Sequence, residues 1–304
     1  MRSSPVGFVG LGNMGGRMTA CLTRGGVEVV GFDTRPELAA EVGARPAGSV
    51  GEIADSSDVV LLSLPDSTVV ESVVLGDDGL LAGAREGQVV VDLSTAAPDS
   101  TRRLSAMFAD CGAAYLDAGI SGGAAAADKG TLTLMVGGSV DALARVRPVI
   151  DHFAAKVFHV GDSGAGHATK LLNNFLNAVT LAATSEVMVA AKKAGLDLTT
   201  VLDVLNASSG TSFATTNRFP HIIKGDYLEG GLTNTLMMKD VALYTAYVSG
   251  LGVASLNSSG PLASFGLARA LGYADRISNT VVDAIGDVSG GVRLADPPSS
   301  EEDS

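Results

Sequence analysis

The stretch VGFVGLGNMG (6–15) sets an apolar strand directly against glycines at 10, 12 and 15. A run with no polar face suits a strand buried on both sides of a sheet. The helical pattern RMTACLTRGG follows, and a second β-branched run, EVVGFD (28–33), ends in Asp33. Strand, tight turn, helix and returning strand make a βαβ unit, and a parallel sheet covered on both faces is built from several of them. Further runs appear at DVVLLSL (58–64), QVVVDLS (88–94) and AAYLDAG (113–119), with helical stretches such as STVVESVV and DSTRRLSAMFADCG between them. TLTLMVGG (131–138) and KVFHVG (156–161) bracket a helix at 140–154 and extend the sheet. The first half is therefore expected to be an α/β domain spanning residues 1–163.

After Gly166 the pattern changes to one long helical segment over about 167–194, ending in Lys192, Lys193, Ala194 and Gly195, with cations in the last turn and a glycine stop. At 1.5 Å per residue it is roughly 40 Å long, enough to join two domains. This interdomain helix is assigned residues 164–194. Shorter helices are expected at about 199–207, 215–224, 234–249, 261–272 and 275–286, giving an all-helical domain at 195–288. The polar, acidic stretch from 289 to 304 reads as a disordered tail.

Composition removes several function classes. The chain carries a formal net charge of −12 and no basic block, which argues against nucleic acid and anionic membranes as partners. No apolar span approaches ~18 residues, so no transmembrane helix is expected. The N-terminus lacks a signal peptide's longer apolar core and cleavage site. Cys21 and Cys111 have no CxxC partner, which suits reduced thiols, and the four histidines make no metal-type pair, so no metal site is expected. The expected setting is the cytoplasm.

The glycines form a GxGxxG between a strand and a helix, with a carboxylate, Asp33, closing the second strand 23 residues after Gly10. That context is the one dinucleotide binding requires: a tight turn, close backbone approach to a pyrophosphate and a helix N-terminus beneath it. Asp33 would bind the adenosine ribose and repel a 2′-phosphate, favouring NAD; Arg35, two residues on, could hold that phosphate and leaves NADP open. Other features fall at strand ends, where such sheets bind ligands. These are Leu64-Pro65, Ser94-Thr95 and the loop DAGISGG (117–123), whose Ser121, Gly122 and Gly123 can offer an anion cradle.

GLGNMGGRM, DLST, DAGISGG, GAGHATKLLNN and MKD (238–240) occur in the order and spacing of the β-hydroxyacid dehydrogenase family, which the chain resembles over residues 5–286. The resemblance implies a Rossmann-type N-terminal domain, a long interdomain helix, an all-α C-terminal domain and a homodimer or homotetramer. It implies cofactor contacts at Gly10, Leu11, Gly12, Asn13, Met14, Gly15, Asp33, Leu64, Pro65, Thr95 and Lys239. It places the substrate carboxylate on Ser121, Gly122 and Gly123, the catalytic lysine at Lys170, and a substrate contact at Asn174 one turn later. The implied reaction interconverts the hydroxyl of a small 3-hydroxyacid with a semialdehyde or ketone.

Lys170 can take and return the hydroxyl proton if its pKa is lowered by desolvation or by a neighbouring cation such as Lys239. Asn174 would orient the amine by a neutral hydrogen bond. His167 is a rival base but reads better as a partly exposed first-turn residue. Two departures touch the pocket wall. Gly119-Ile120 stands where relatives commonly have Pro-Val, which should loosen the backbone, and Phe213 stands where relatives often carry tryptophan. Two alternatives remain: an imine reductase, which usually lacks both this lysine and the SGG cradle, and a non-catalytic dinucleotide-binding scaffold, in which the lysine is typically replaced.

Overall fold

Eight strands share one sheet in the computed structural model, which describes residues 4–228 and 230–295. They are β1 (Val6–Val9), β2 (Val29–Phe32), β3 (Arg45–Pro46), β4 (Val59–Leu62), β5 (Val89–Asp92), β6 (Ala114–Ser121), β7 (Leu132–Gly137) and β8 (Ala154–Gly161). Their order is β3-β2-β1-β4-β5-β6-β7-β8, and every pairing is parallel except β6 with β7. The strand order reverses direction between β1 and β4, so the carboxyl ends of those strands open a crevice there.

Alternation along the central strands explains the burial on both faces. Phe8, Leu61, Val89 and Val91 join one apolar cluster with Met18, Leu22, Leu132 and Val146. Val9, Val60, Leu62 and Val90 join the other with Ile53, Val70, Val74, Leu104 and Phe108. Successive side chains point to opposite faces, so a continuous apolar run serves two layers of helices.

The sequence reading missed β3, a two-residue edge strand whose Arg45 and Pro46 are both exposed. A proline there forfeits no ladder bond on the outer side. It also ended β6 too early, since Asp117 to Ser121 pair antiparallel with Thr133 to Gly137 before the chain turns at Gly122.

The helix Ala165–Lys193 runs 29 residues. Gly195 ends it with φ +74°; its N–H donates to the Lys192 carbonyl (3.1 Å), and the Leu196 N–H donates to that of Ala191 (3.1 Å). This is the paired-bond glycine stop that the sequence signalled. Contacts divide the chain into two units inside this helix, after Leu172.

The second unit is helical and has its own core, with Phe175, Leu181, Met188, Phe219, Met237, Phe265 and Val281 at its centre. The helices Leu198–Asn206, Asn234–Gly250 and Ser259–Ala268 lie close to the expected positions, while Val281–Val288 begins six residues later than expected. Two single π-turns, Ala214–Arg218 and Arg269–Tyr273, were not anticipated.

The disordered-tail expectation needs correction for residues 289–295. Leu294 is buried in the helical core, and Arg293 donates to Asp287 at 2.5 Å. One apolar side chain and one ion pair are enough to hold that stretch down. Residues 296–304 lie outside the described residues. Among the described residues, no helix is long and apolar enough to cross a membrane.

Candidate active site

On the sheet side, the glycine turn divides its tasks. Gly10 has φ +88°, and a Cβ there would collide with the Ser63 carbonyl oxygen; a Cβ on Gly15 would collide with that of Gly10. Both glycines permit close packing of strand and helix. Gly12 is different: nothing lies within 4 Å of where its Cβ would be, and the helix Asn13–Arg24 that follows has no side-chain cap. A helix start without a side-chain cap, approached by a bare α-carbon, suits an anion.

The Leu11 side chain is core, but its N–H donates to Asp33 Oδ2 at 2.8 Å. Asp33 Oδ1 accepts from the Arg35 N–H at 3.0 Å, and the Arg35 guanidinium lies 3.9 Å away. The carboxylate is thus fixed at the strand end. Arg35, two residues on, lines a cleft of about 300 Å³ together with Gly12, Asn13, Arg17 and Leu38. The residues present fit a dinucleotide: an open glycine over an uncapped helix start, a cleft and an oriented carboxylate. Further along the crevice, Ser94 Oγ accepts the Leu64 N–H at 3.0 Å and the Ser94 N–H donates to Asp92 at 2.9 Å. These bonds fix the turns that carry Leu64, Pro65 and Thr95.

At the end of β6, Gly122 and Gly123 take φ +128° and +69°, a pair of conformations that side chains resist. Nothing lies within 4 Å of a Cβ on Gly123, so its surroundings admit a ligand beside Ser121.

Lys170 is 9% exposed. A Cβ added at Gly119 would sit 2.5 Å from its Cβ and 3.0 Å from its Cγ. Gly119 lies within paired β6, so it does not loosen the backbone as expected; its bare α-carbon lets the lysine helix approach the sheet.

The start of that helix is anchored by buried polar groups. Asp117 accepts the Gly164 N–H on one carboxylate oxygen and the His167 N–H on the other, each at 2.8 Å. A buried anion at a helix N-terminus satisfies donors that otherwise have no partner. His167 is 0% exposed, which corrects the expectation of a partly exposed ring. Its Nδ1 is 2.7 Å from the Thr101 hydroxyl and its Nε2 is 3.3 Å from the Asp92 carbonyl. Nε2 faces Asp92 acceptors, so the proton belongs there and Nδ1 accepts from Thr101. Tyr115 donates to Asp92 at 2.8 Å, and burial, reinforced by the Asp92 charge, pushes its pKa well up, keeping it a donor. With both nitrogens occupied, His167 supports the helix and is not a competing base.

In the helical unit, Asn174 is 3% exposed and donates to Asp240 Oδ2 at 2.5 Å, while its own Oδ1 accepts from Asn173 at 3.2 Å. Lys239 Nζ lies 3.2 Å from the other Asp240 oxygen. Asp240, 1% exposed, is the residue that the sequence reading missed. In this ion pair the aspartate is buried and the lysine partly so. The signal was available: Asp240 follows Met237 by three residues and precedes Val241, on the apolar stripe of Asn234–Gly250. Asn173 is exposed and Asn177 half-buried, so the polar stripe narrows to Lys170 and Asn174.

Comparisons with known proteins cover both parts of the chain. Residues 5–161 match the family described as the NAD binding domain of 6-phosphogluconate dehydrogenase. Residues 164–282 match the NAD-binding domain of NADP-dependent 3-hydroxyisobutyrate dehydrogenase. A 3-hydroxyisobutyrate dehydrogenase from Pseudomonas aeruginosa is 38% identical over 250 residues, 79% of this chain and 84% of that protein. A 2-(hydroxymethyl)glutarate dehydrogenase from Eubacterium barkeri is 36% identical over 80% of this chain and 81% of its own length. The solved structure of Mycobacterium tuberculosis 3-hydroxyisobutyrate dehydrogenase with L-serine superposes with a TM-score of 0.83 at 32% identity, covering 93% of this chain and 99% of that one. The chain belongs to the β-hydroxyacid dehydrogenase family of NAD(P)-dependent oxidoreductases that act on the hydroxyl of 3-hydroxyacids.

Proposed function

We propose that Lys170 is the general acid/base of this dehydrogenase, with Ser121, Gly122 and Gly123 receiving the substrate carboxylate and Asn174 the substrate's polar end. The observation that carries this reading is Lys170 itself: a lysine nearly removed from solvent, on a helix whose first turn is pinned by Asp117 and whose approach Gly119 permits. A bound nicotinamide dinucleotide supplies the hydride acceptor in oxidation and the hydride in reduction. In oxidation the Lys170 amine takes the hydroxyl proton as the carbon loses hydride; in reduction the ammonium returns it to the carbonyl oxygen. Asp240 keeps Asn174 in one orientation and holds the Lys239 ammonium beside it. Asp33 supports NAD as the preferred cofactor, since a 2′-phosphate would meet a fixed carboxylate.

Relatives named for hydroxyisobutyrate and hydroxymethylglutarate share the reaction class and differ in the acid. The test is nicotinamide absorbance with a panel of 3-hydroxyacids, each with NAD and NADP, beside a cyclic imine in the reducing direction. NAD-linked turnover of a carboxylate-bearing alcohol is expected. Turnover of the imine alone would overturn the reading.

We also infer a homodimer or homotetramer in the cytoplasm. Leu172, Leu176 and Val187 recur along one exposed side of Ala165–Lys193, an apolar line that a second subunit would cover. Light scattering on the eluting protein tests this, with a monomer as the contrary result.

A further inference from the structure

His167 takes no part in proton transfer, yet its ring is fully buried between two other segments of the sheet unit. Nδ1 meets the Thr101 hydroxyl, in the helix Pro98–Asp110, at 2.7 Å. Nε2 meets the Asp92 carbonyl, at the end of β5, at 3.3 Å, with the Asp92 carboxylate 3.9 Å away. The His167 main-chain N–H is held by Asp117 of β6 at 2.8 Å. One residue therefore joins the first turn of the lysine helix to two strands and a neighbouring helix. An aliphatic side chain could fill the same space with no hydrogen bonds to satisfy. A buried, fully paired polar ring adds direction, since it is stable in one arrangement only.

Asp92 is itself held in place. One carboxylate oxygen accepts the Ser94 N–H at 2.9 Å, and the other accepts the Tyr115 hydroxyl at 2.8 Å. The Ser94 bond shapes the turn that carries Thr95, the residue expected beside the cofactor. In the other direction, Lys170 follows His167 by three residues, nearly one helical turn, so the two side chains share a face. Over so short a distance a helix moves as a rigid piece. The His167 ring is thus a direct link between the Ser94-Thr95 turn and the lysine.

We propose that His167 is a positioning residue of the reaction: through its Nε2–H bond to the Asp92 carbonyl it holds the helix of Lys170 in register with the Ser94-Thr95 turn, and the Thr101 contact only steadies the ring. The inference rests on the reading of Lys170 as acid/base and deepens it. Proton and hydride leave neighbouring atoms of one substrate, so the lysine and the cofactor turn need a common frame. Misplacing a reacting group by about 1 Å costs about 10²-fold in rate.

The test compares His167→Ala, His167→Asn and His167→Gln in the full-length protein, on whichever hydroxyacid the wild type oxidises fastest. Turnover is expressed per NADH-binding site, so that unfolded protein does not count. The two amides separate the two ring contacts. Counted in bonds from Cβ, a glutamine amide nitrogen reaches as far as Nε2 and can donate to the Asp92 carbonyl, whereas an asparagine amide ends at the place of Nδ1 and keeps only Thr101. His167→Ala and His167→Asn should lower kcat about 10- to 100-fold, with KM and NADH affinity within about threefold of wild type, and His167→Gln should recover most of kcat. If His167→Ala shows no cooperative unfolding transition, the two amides carry the comparison. Wild-type kcat in His167→Asn, or a glutamine variant no better than the asparagine one, would overturn the proposal; the second result is what a purely structural histidine gives. Acetylation of Lys170 by acetic anhydride, read by peptide mass spectrometry, needs no substrate. It should be faster in His167→Asn and near wild type in His167→Gln, and equal rates in the two would also overturn the proposal. If that order is found but no hydroxyacid is oxidised, the reaction class fails and the positioning by His167 stands.

Discussion

Asp240 shows how much one side chain can organise at the residue scale. A single carboxylate holds Asn174 on one oxygen and Lys239 on the other. Asp240→Asn would turn one of those contacts into donor against donor. It is expected to lower kcat/KM by about 10- to 100-fold, chiefly through KM, in steady-state assays. Asp33 gives a cofactor prediction. Asp33→Ala removes the carboxylate that a 2′-phosphate would meet, so the ratio of kcat/KM for NADP to that for NAD should rise at least about tenfold. Asp283 gives a pH prediction. Burial raises its pKa, with the Tyr227 hydrogen bond and Arg293 only partly opposing. A carboxyl whose folded pKa is raised favours the fold in its neutral form, and that contribution is lost as pH rises through the folded pKa. Asp283→Asn should therefore have a higher Tm than wild type at pH 7, and the difference should close as pH falls below about 4.

At the scale of elements, the strands and helices that matter were legible because their periodicities are strong. The β1 and β4–β5 runs are apolar on both faces, and the long helix ends in the cations and glycine that its sequence announces. What was illegible is of another kind. His167 looked like an exposed first-turn residue because nothing local shows that Thr101 and Asp92, more than sixty positions earlier, close over it. Gly119 looked loose because glycine usually is; only the antiparallel pairing with Met135 and the nearness of Lys170 show that it is a packing residue. Gly119→Ala should therefore displace the lysine helix. We expect kcat reduced about tenfold or more with NAD affinity nearly unchanged, since the cofactor turn lies on other strands. Unchanged kcat would mean that the helix does not rely on that close approach.

At the scale of the whole molecule, each unit has its own core and its own candidate residues: the sheet unit holds the dinucleotide turn, the SGG loop and Lys170, and the helical unit holds Asn174, Lys239 and Asp240. Family membership could be read from five ordered motifs, while Asp240 needed coordinates, since its meaning lies in the partners it holds. The measurement that tests the central claim most directly is the single-turnover rate of NADH formation by Lys170→Ala, on whichever hydroxyacid the wild type oxidises fastest, with NAD affinity measured beside it. The acid/base assignment predicts a rate lower by about 10²- to 10⁴-fold with NAD binding within about threefold of wild type. A variant that keeps most of its rate would contradict it.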